Sequence, residues 1–160
     1  MEEERKFHTV RGYQLLSQNQ RLITPAMEDY LEMIYRHSLV EDYIRINKLS
    51  GLLNVSPPST TKMVQKLAQL GLIHYRKYGI ISLTETGREI GEYLLHRHEV
   101  LEAFLKNLGV TQNLLIETEL VEHSISATSL RRLDLLNAFL SENPEIAQRL
   151  RVFLDDRDED

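Results

Sequence analysis

The chain has 160 residues, 42% of them hydrophobic, a formal net charge of −5 and no cysteine. This length and composition predict a globular chain with one core or two small adjoining cores. The absence of cysteine excludes disulfides and thiolate ligands, so any bound metal must be held by oxygen and imidazole nitrogen.

Membrane insertion and secretion are not expected. No apolar run approaches the roughly 20 residues that cross a bilayer, and the acidic N-terminus "MEEERK" is unlike a signal peptide. We therefore expect a cytoplasmic protein without a membrane partner.

The charge is distributed unevenly along the chain. Between positions 43 and 97 there are eight basic residues and three acidic ones, whereas acidic residues are more frequent than basic ones from Glu99 to the tail "DDRDED". The middle of the chain suits a phosphate-bearing partner and the later part suits cations.

The first element that the pattern defines begins at Thr24-Pro25, an N-cap followed by proline in the first helical turn. Its stripe of Met27, Leu31 and Ile34 predicts a helix to about Ser38. Residues 1–22 are polar and weakly patterned, so a short helix around positions 13–16 and a disordered arm both remain open.

The stretch from Ile44 to Ile73 predicts two helices joined by a tight turn. Ile46, Leu49 and Leu53 mark a short first helix, and Ser56 caps a second helix over about 57–70. The inward face of the second helix is predicted to be Met63, Val64, Leu67 and Leu70. Its outward face is predicted to be Ser59, Thr60, Thr61, Lys62, Gln65 and Lys66.

Two short β-rich runs follow, Ile73 to Arg76 and Ile80 to Leu83, joined by the basic turn Lys77-Tyr78-Gly79. Two packed helices alone are compatible with no DNA role, but the added basic wing favours a winged helix-turn-helix that reads DNA. The predicted DNA-binding residues are Ser56, Pro57, Ser59, Thr60, Thr61, Lys62, Gln65, Lys66, Arg76, Lys77 and Tyr78.

A long helix is predicted from Thr84 to about Leu108, ended by Gly109. His98 interrupts its apolar stripe. Taken alone, such an imidazole is either a hydrogen-bonded core residue or a ligand.

The segment "ELVEHSIS" places Glu119, Glu122 and His123 at i, i+3 and i+4 of a further helix. Asp29 and Glu32 have the same i, i+3 spacing on the first predicted helix. Taken separately, each of these two groups of residues is compatible with ordinary solvated side chains on a helix surface. Together with His98 they favour one or two divalent metal ions, because clustered carboxylates repel unless a cation lies between them.

The C-terminal helices carry apolar stripes that suit a homodimer. Leu130, Leu133, Leu136 and Leu140 share one helical face, and Asn143-Pro144 begins a last helix with Ile146, Leu150 and Phe153. The alternative is that these faces close the core of a single subunit.

Four segments together carry a family resemblance: "TPAMEDYLEMIY", "VSPPSTTKMVQKLAQLGLIHYRKYGIISLTETG", "HRHEVLEAFL" and "ELVEHSIS". They resemble the diphtheria-toxin-repressor family of metal-dependent transcriptional repressors, and within it the manganese-responsive branch. The resemblance covers about residues 23–140. It implies a mainly α protein, with an N-terminal winged helix-turn-helix followed by an all-helical dimerisation and metal-binding domain.

The resemblance also implies boundaries and ligands. We expect an N-terminal extension at 1–22, a DNA-binding domain at 23–95 and a dimerisation and metal-binding domain at 96–157. The implied metal ligands are Asp29, Glu32, His98, Glu119, Glu122 and His123.

The expected function is a Mn²⁺-responsive repressor, not an enzyme, that binds double-stranded operator DNA as a metal-activated homodimer and controls metal-uptake genes. One or two Mn²⁺ ions per subunit are expected. Fe²⁺, Co²⁺, Zn²⁺ or Cd²⁺ suit the same atoms.

Two other functions remain as alternatives. A metal-independent winged-helix regulator that responds to another small ligand would share the DNA-binding half. A di-metal enzyme would share the carboxylates and histidines but would not need the basic wing.

Overall fold

The computed structural model describes residues 2–19 and 22–158. The chain divides after Leu95 into two compact units, here called the first unit (to Leu95) and the second unit (from His96). Within the described ranges, none of the helices combines the length and apolar character that a membrane span requires.

In the part of the first unit that the structure describes there are four α-helices, three short strands and the beginning of a fifth α-helix. The helices are α1 (Glu2–Gln18), α2 (Pro25–Ser38), α3 (Ile46–Leu53), α4 (Pro57–Gln69) and the start of α5 (Glu85–Asn107), and the strands are β1 (Ile44–Arg45), β2 (Ile73–Arg76) and β3 (Ile80–Leu83). The second unit contains the rest of α5 with α6 (Leu114–Glu122), α7 (Ala127–Glu142) and α8 (Pro144–Asp158). The mainly α fold class is confirmed.

Side-chain caps begin the helices where the sequence predicts them. The hydroxyl of Thr24 accepts from the backbone N–H of Met27 at 3.4 Å, and that of Ser56 accepts from Ser59 N–H at 3.4 Å. The hydroxyl of Thr84 accepts from Gly87 N–H at 3.0 Å at the start of α5. Each cap satisfies a donor that has no partner within its own helix.

The predicted helix-turn-helix is confirmed as α3 and α4. Asn54 joins them in the left-handed conformation, with φ of 54°. Leu49, Val64 and Leu67 are fully buried, whereas Met63 and Leu70 of the predicted inward face are half-buried.

The wing is confirmed as an antiparallel pair, in which β2 runs from Ile73 opposite Leu83 to Arg76 opposite Ile80. A third strand, β1, pairs with β3 and gives the sheet order β1-β3-β2. This strand was not predicted because it has two residues, and its partner lies more than 30 positions later in the chain.

In the second unit, α5 ends at Asn107 and Gly109 adopts a φ of +84°. The side-chain amide of Asn137 on α7 donates to the carbonyl of Val100 at 2.9 Å, and Asn107 donates to Asn137 at 3.0 Å. These bonds fix α7 on the second half of α5. Leu140 is buried, but Leu136 of the same predicted stripe is 41% exposed.

The N-terminal segment, for which the sequence left two possibilities open, is helical from Glu2 to Gln18. Positions 1, 20 and 21 of the expected extension lie outside the described residues. The helix has almost no apolar periodicity, which explains why the pattern did not define it.

Candidate metal centre and nucleic-acid interface

A buried pair of ionisable side chains joins α5 to α6 in the second unit. Nδ1 of His98 lies 3.0 Å from Oε2 of Glu122, and the two side chains are only 8% and 3% exposed. His98 stands on the inward face of α5, and Glu122 is the last residue of α6. The structure therefore brings together two of the six predicted ligands inside this unit.

His123 extends this pair from the C-cap of α6. Its Nε2 lies 3.7 Å from Oε1 of Glu122, and its Nδ1 lies 3.4 Å from Nη2 of the buried Arg97. The imidazole is half-buried. Because Glu122 is enclosed and His123 is partly accessible, this side of the pair can be reached by an ion from solvent.

Glu119 has a different environment from its two neighbours in the predicted set. Its side chain is exposed, whereas that of Glu122 is buried. Helix α6 ends at Glu122, and His123 follows as its C-cap in the right-handed helical conformation, so the i, i+3 and i+4 spacing of Glu119, Glu122 and His123 is kept. Their common role as metal ligands stays a prediction.

The two remaining predicted ligands lie on α2 in the first unit. Asp29 is exposed, and Glu32 is buried one turn later. Oε1 of Glu32 accepts from Nε and Nη2 of Arg36 at 2.9 and 2.7 Å. This arginine holds the carboxylate in one orientation on the helix.

One acidic neighbour of His98 was missed. Oε2 of Glu102 lies 3.7 Å from Nε2 of His98, and its other oxygen pairs with Lys106. The signal was available, because Glu102 stands four residues after His98 and i, i+4 side chains meet on a helix.

The chemistry of these donors fits a divalent cation. Glu122 is a carboxylate at 2% exposure whose described ion-pair partners are the imidazoles of His98 and His123. Imidazole nitrogens and carboxylate oxygens are ligands for Mn²⁺ and for later divalent metals. A bound cation would stabilise the ionised form of this buried carboxylate, because the two imidazoles beside it carry no charge when they are neutral.

The outward side of α4 presents the polar groups that the sequence predicts there. Lys62, Gln65 and Lys66 are exposed along the helix, and Ser56, Pro57 and Ser59 are exposed at its beginning. Thr61 is half-buried, and its hydroxyl donates to the carbonyl of Pro57 at 2.9 Å.

Thr60 is a correction to the predicted outward face. It is fully buried, with its hydroxyl 2.9 Å from that of Ser50 on α3 and 3.1 Å from the carbonyl of Ser56. The burial of Thr60 is explained by these bonds, because its hydroxyl accepts from that of Ser50 and donates to the carbonyl of Ser56. Thr60 thus joins α3 to α4.

The wing supplies further cationic and aromatic groups. Arg76 and Lys77 are exposed, and Tyr78 at the tip is 87% exposed with a φ of 64°. A groove of about 510 Å³ in the first unit is lined by wing and helix-turn-helix residues that include Tyr75, Arg45 and Asn47. Arg45 and Asn47 were not among the predicted contacts, since Arg45 reaches this groove through the unpredicted strand β1.

Comparison with known families gives two matches that together cover most of the chain. The model described as "Iron dependent repressor, N-terminal DNA binding domain" matches residues 22–81. The model described as "Iron dependent repressor, metal binding and dimerisation domain" matches residues 84–156.

Curated relatives agree with these matches. The chain is 40% identical over 130 residues to the HTH-type transcriptional regulator MntR of Lysinibacillus sphaericus (strain C3-41), which covers 81% of this chain and 94% of that protein. It is also 40% identical over 131 residues to the MntR of Oceanobacillus iheyensis, covering 81% of this chain and 89% of that one.

Solved structures show the same similarity. The manganese regulator SloR is 33% identical, with a TM-score of 0.63 over 71% of this chain and 54% of that one. The metal-dependent transcriptional regulator MtsR is 32% identical, with a TM-score of 0.65 over 72% and 55%. The chain thus spans about half the length of these two solved proteins.

Proposed function

The chain belongs to the iron-dependent repressor family, and from this premise we propose that it is a Mn²⁺-responsive repressor that controls metal-uptake genes. The observation that carries the proposal is the buried contact between His98 and Glu122, which lies inside the region matched by the metal-binding model. We further propose a DNA-binding domain at 23–95 and a dimerisation and metal-binding domain at 96–157.

The proposed ligands are drawn from both units. They are Asp29, Glu32, His98, Glu119, Glu122 and His123. Oxygen and imidazole donors without thiolate suit Mn²⁺, which is low in the Irving–Williams order and must be selected by ligand hardness and geometry. The same donors accept Fe²⁺, Co²⁺, Zn²⁺ or Cd²⁺. When bound, the metal supplies positive charge that allows several carboxylates to remain ionised close together.

The proposed DNA contacts are exposed and half-buried groups of α4, of its N-cap and of the wing. They are Ser56, Pro57, Ser59, Thr61, Lys62, Gln65, Lys66, Arg76, Lys77 and Tyr78. Lysine and arginine neutralise phosphates, and the short hydroxyl and amide side chains suit phosphate oxygens and base edges.

The proposed partner subunit is a second copy of the chain. The second unit exposes apolar side chains on α6 and α7, with Ile116 at 54%, Leu120 at 69% and Phe139 at 47% exposure. Such faces are stabilised when a partner covers them. A two-fold dimer would present two recognition helices to successive major grooves about 34 Å apart.

Metal and operator binding are thermodynamically linked in this proposal. If Mn²⁺ binds the DNA-competent state more tightly than the free state, operator DNA must raise Mn²⁺ affinity by the same factor. We further propose a cytoplasmic location and no catalytic activity, in keeping with a regulator of transcription.

The test compares Glu122→Ala with Glu117→Ala, an exposed carboxylate on the same helix. The probe is a DNA duplex selected by the wild-type protein from a random pool in excess Mn²⁺, and its affinity is measured at fixed salt with and without chelator. We expect Glu122→Ala to lose the Mn²⁺ stimulation and Glu117→Ala to keep it. Equal DNA binding with and without chelator by the wild-type protein would overturn metal sensing and support a metal-independent regulator.

A further inference from the structure

The N-terminal helix α1 lies outside both family matches, the first of which begins at residue 22 and the second at residue 84. It nevertheless has a specific docking site in the first unit. Three consecutive residues of α1, Arg11, Gly12 and Tyr13, meet one turn of α5 that carries Glu89 and Tyr93.

Gly12 sets the distance between the two helices. A Cβ atom at this position would lie 2.2 Å from the backbone oxygen of Glu89 and 2.8 Å from Cβ of Tyr93. Because the first of these atoms belongs to the backbone, it cannot move aside as a flexible side chain would. Only glycine permits this approach.

The flanking residues add an ion pair and a ring contact. Nε of Arg11 lies 3.1 Å from Oε1 of Glu89, whose side chain is 7% exposed. The rings of Tyr13 and Tyr93 are 5.6 Å apart at 57°, an arrangement that aromatic pairs favour. Arg11 thus supplies a counter-charge to this buried carboxylate through Oε1, whereas Oε2 has no hydrogen-bond partner among the residues that the structure describes.

The opposite side of the same α5 segment is fixed by two further glycines. A Cβ on Gly87 would lie 1.8 Å from the carbonyl oxygen of Leu72, and one on Gly91 would lie 2.6 Å from Cβ of Tyr35. Two positions along a helix correspond to a rotation of about 200°. Gly87 and Gly91 therefore face the winged helix-turn-helix, while Glu89 and Tyr93 face α1.

We propose that α1 is a latch, in which Arg11, Gly12 and Tyr13 position the first half of α5 in the DNA-binding unit and thereby support tight operator binding by the Mn²⁺-loaded protein. The effect on operator binding rests on the function proposed above. The docking itself does not.

The experiment uses two full-length variants that place valine in the same helix. Gly12→Val introduces the clash, and Ser17→Val changes an exposed position of α1. In Gly12→Val we expect amide hydrogen exchange to rise in α1 and in the first half of α5, and the dissociation constant for the Mn²⁺-dependent selected duplex to rise about fivefold or more. Ser17→Val should match the wild type in both measurements.

Tyr13→Ala removes the ring contact without adding bulk, so the test remains decisive if Gly12→Val does not fold. Unchanged amide exchange in α5 of either Gly12→Val or Tyr13→Ala would overturn the docking of α1. Raised exchange with unchanged affinity for the duplex would overturn the role of this docking in DNA binding. If the wild-type protein selects no duplex, the proposed function fails, while the exchange measurements still decide whether α1 is docked.

A double-mutant cycle tests the charge pairing separately from simple packing. Arg11→Met should raise amide exchange in α1 when position 89 is glutamate, because a buried carboxylate then lacks its counter-charge. It should have much less effect in the Glu89→Gln background, where no charge needs a partner. Equal effects in both backgrounds would overturn the pairing as a component of the latch.

Discussion

The helix-turn-helix and the α5–α6 pair bury polar side chains of different chemistry. Between α3 and α4 the buried groups are the neutral hydroxyls of Ser50 and Thr60, which bond each other and nearby carbonyls. Between α5 and α6 they are the ionisable groups of His98 and Glu122. A closed hydroxyl network offers little to a cation, whereas an imidazole and a carboxylate offer lone pairs that a cation can use. The hydroxyl contact is therefore suited to hold α3 and α4 together whether or not metal is present. The contact between His98 and Glu122 is suited to change when a metal ion binds.

The largest expected effect comes from breaking the ionisable pair. His98→Ala leaves Glu122 buried without its closest partner, and we expect a loss of about 2–4 kcal/mol in the free energy of unfolding in chelator. His96→Ala is the matched control, because His96 is partly exposed and lies 3.6 Å from Asp134. Its expected effect is within about 0.5 kcal/mol. Similar losses in both variants, measured by denaturant unfolding, would show that burial of the pair is not the cause.

A second comparison uses two helical glycines of the first unit with opposite surroundings. Gly87→Ala places Cβ against the backbone of Leu72, whereas the Cβ of Gly51→Ala would have no neighbouring atom within 4 Å among the residues that the structure describes. We expect Gly87→Ala to lower the free energy of unfolding by about 1–3 kcal/mol through overpacking. We expect Gly51→Ala to raise it by about 0.5–1 kcal/mol, because alanine favours the helix. Thermal denaturation of the two variants should therefore shift in opposite directions.

Thr60→Val tests whether the hydroxyl joint is independent of metal. Valine keeps the volume but removes the bonds to Ser50 and Ser56, and we expect a loss of about 1–2 kcal/mol in unfolding free energy. Mn²⁺ affinity, measured by the electron paramagnetic resonance signal of free Mn²⁺, should not change. Thr61→Val, which alters a half-buried hydroxyl bonded within its own helix, should have a smaller effect on stability. A change in the Mn²⁺ affinity of Thr60→Val would contradict this independence, because it would show that the contact between Ser50 and Thr60 is coupled to metal binding.

The smallest expected effect compares two serine caps with the same chemistry. Ser56 begins α4 and Ser126 begins α7, and each accepts from the N–H of a serine three residues later, at 3.4 and 3.2 Å. Replacing either with alanine should lower stability by about 1 kcal/mol. Only Ser56→Ala should also weaken binding to the selected duplex, as measured by fluorescence anisotropy. Equal weakening by Ser126→Ala would remove Ser56 from the proposed DNA contacts.

Local signals in the sequence predicted most of the fold. Thr24, Ser56 and Thr84 mark helix starts through bonds to residues only three positions away, and α2, β2 and β3 have the predicted limits. Features that depend on distant partners were not predicted. Strand β1 depends on β3, and α1 depends on the turn of α5 that carries Glu89 and Tyr93.

The candidate site was predictable to a different degree in each region. The inward position of His98 on α5 follows from periodicity, and its contact with Glu122 is present in the structure. Thr60 was placed wrongly because its spacing on α4 does not reveal that Ser50 lies opposite it on α3. The contact between Glu102 and His98 was not predicted, although their i, i+4 spacing on α5 is a local signal.

The continuity of α5 has a practical consequence for dissecting the protein. The boundary between the two units, after Leu95, falls inside a helix of 23 residues. A truncation at that point would leave a frayed end on each fragment and would sever hydrogen bonds that each half needs. Separately expressed fragments should therefore both carry the whole of Glu85–Asn107, so that the shared helix is duplicated rather than divided.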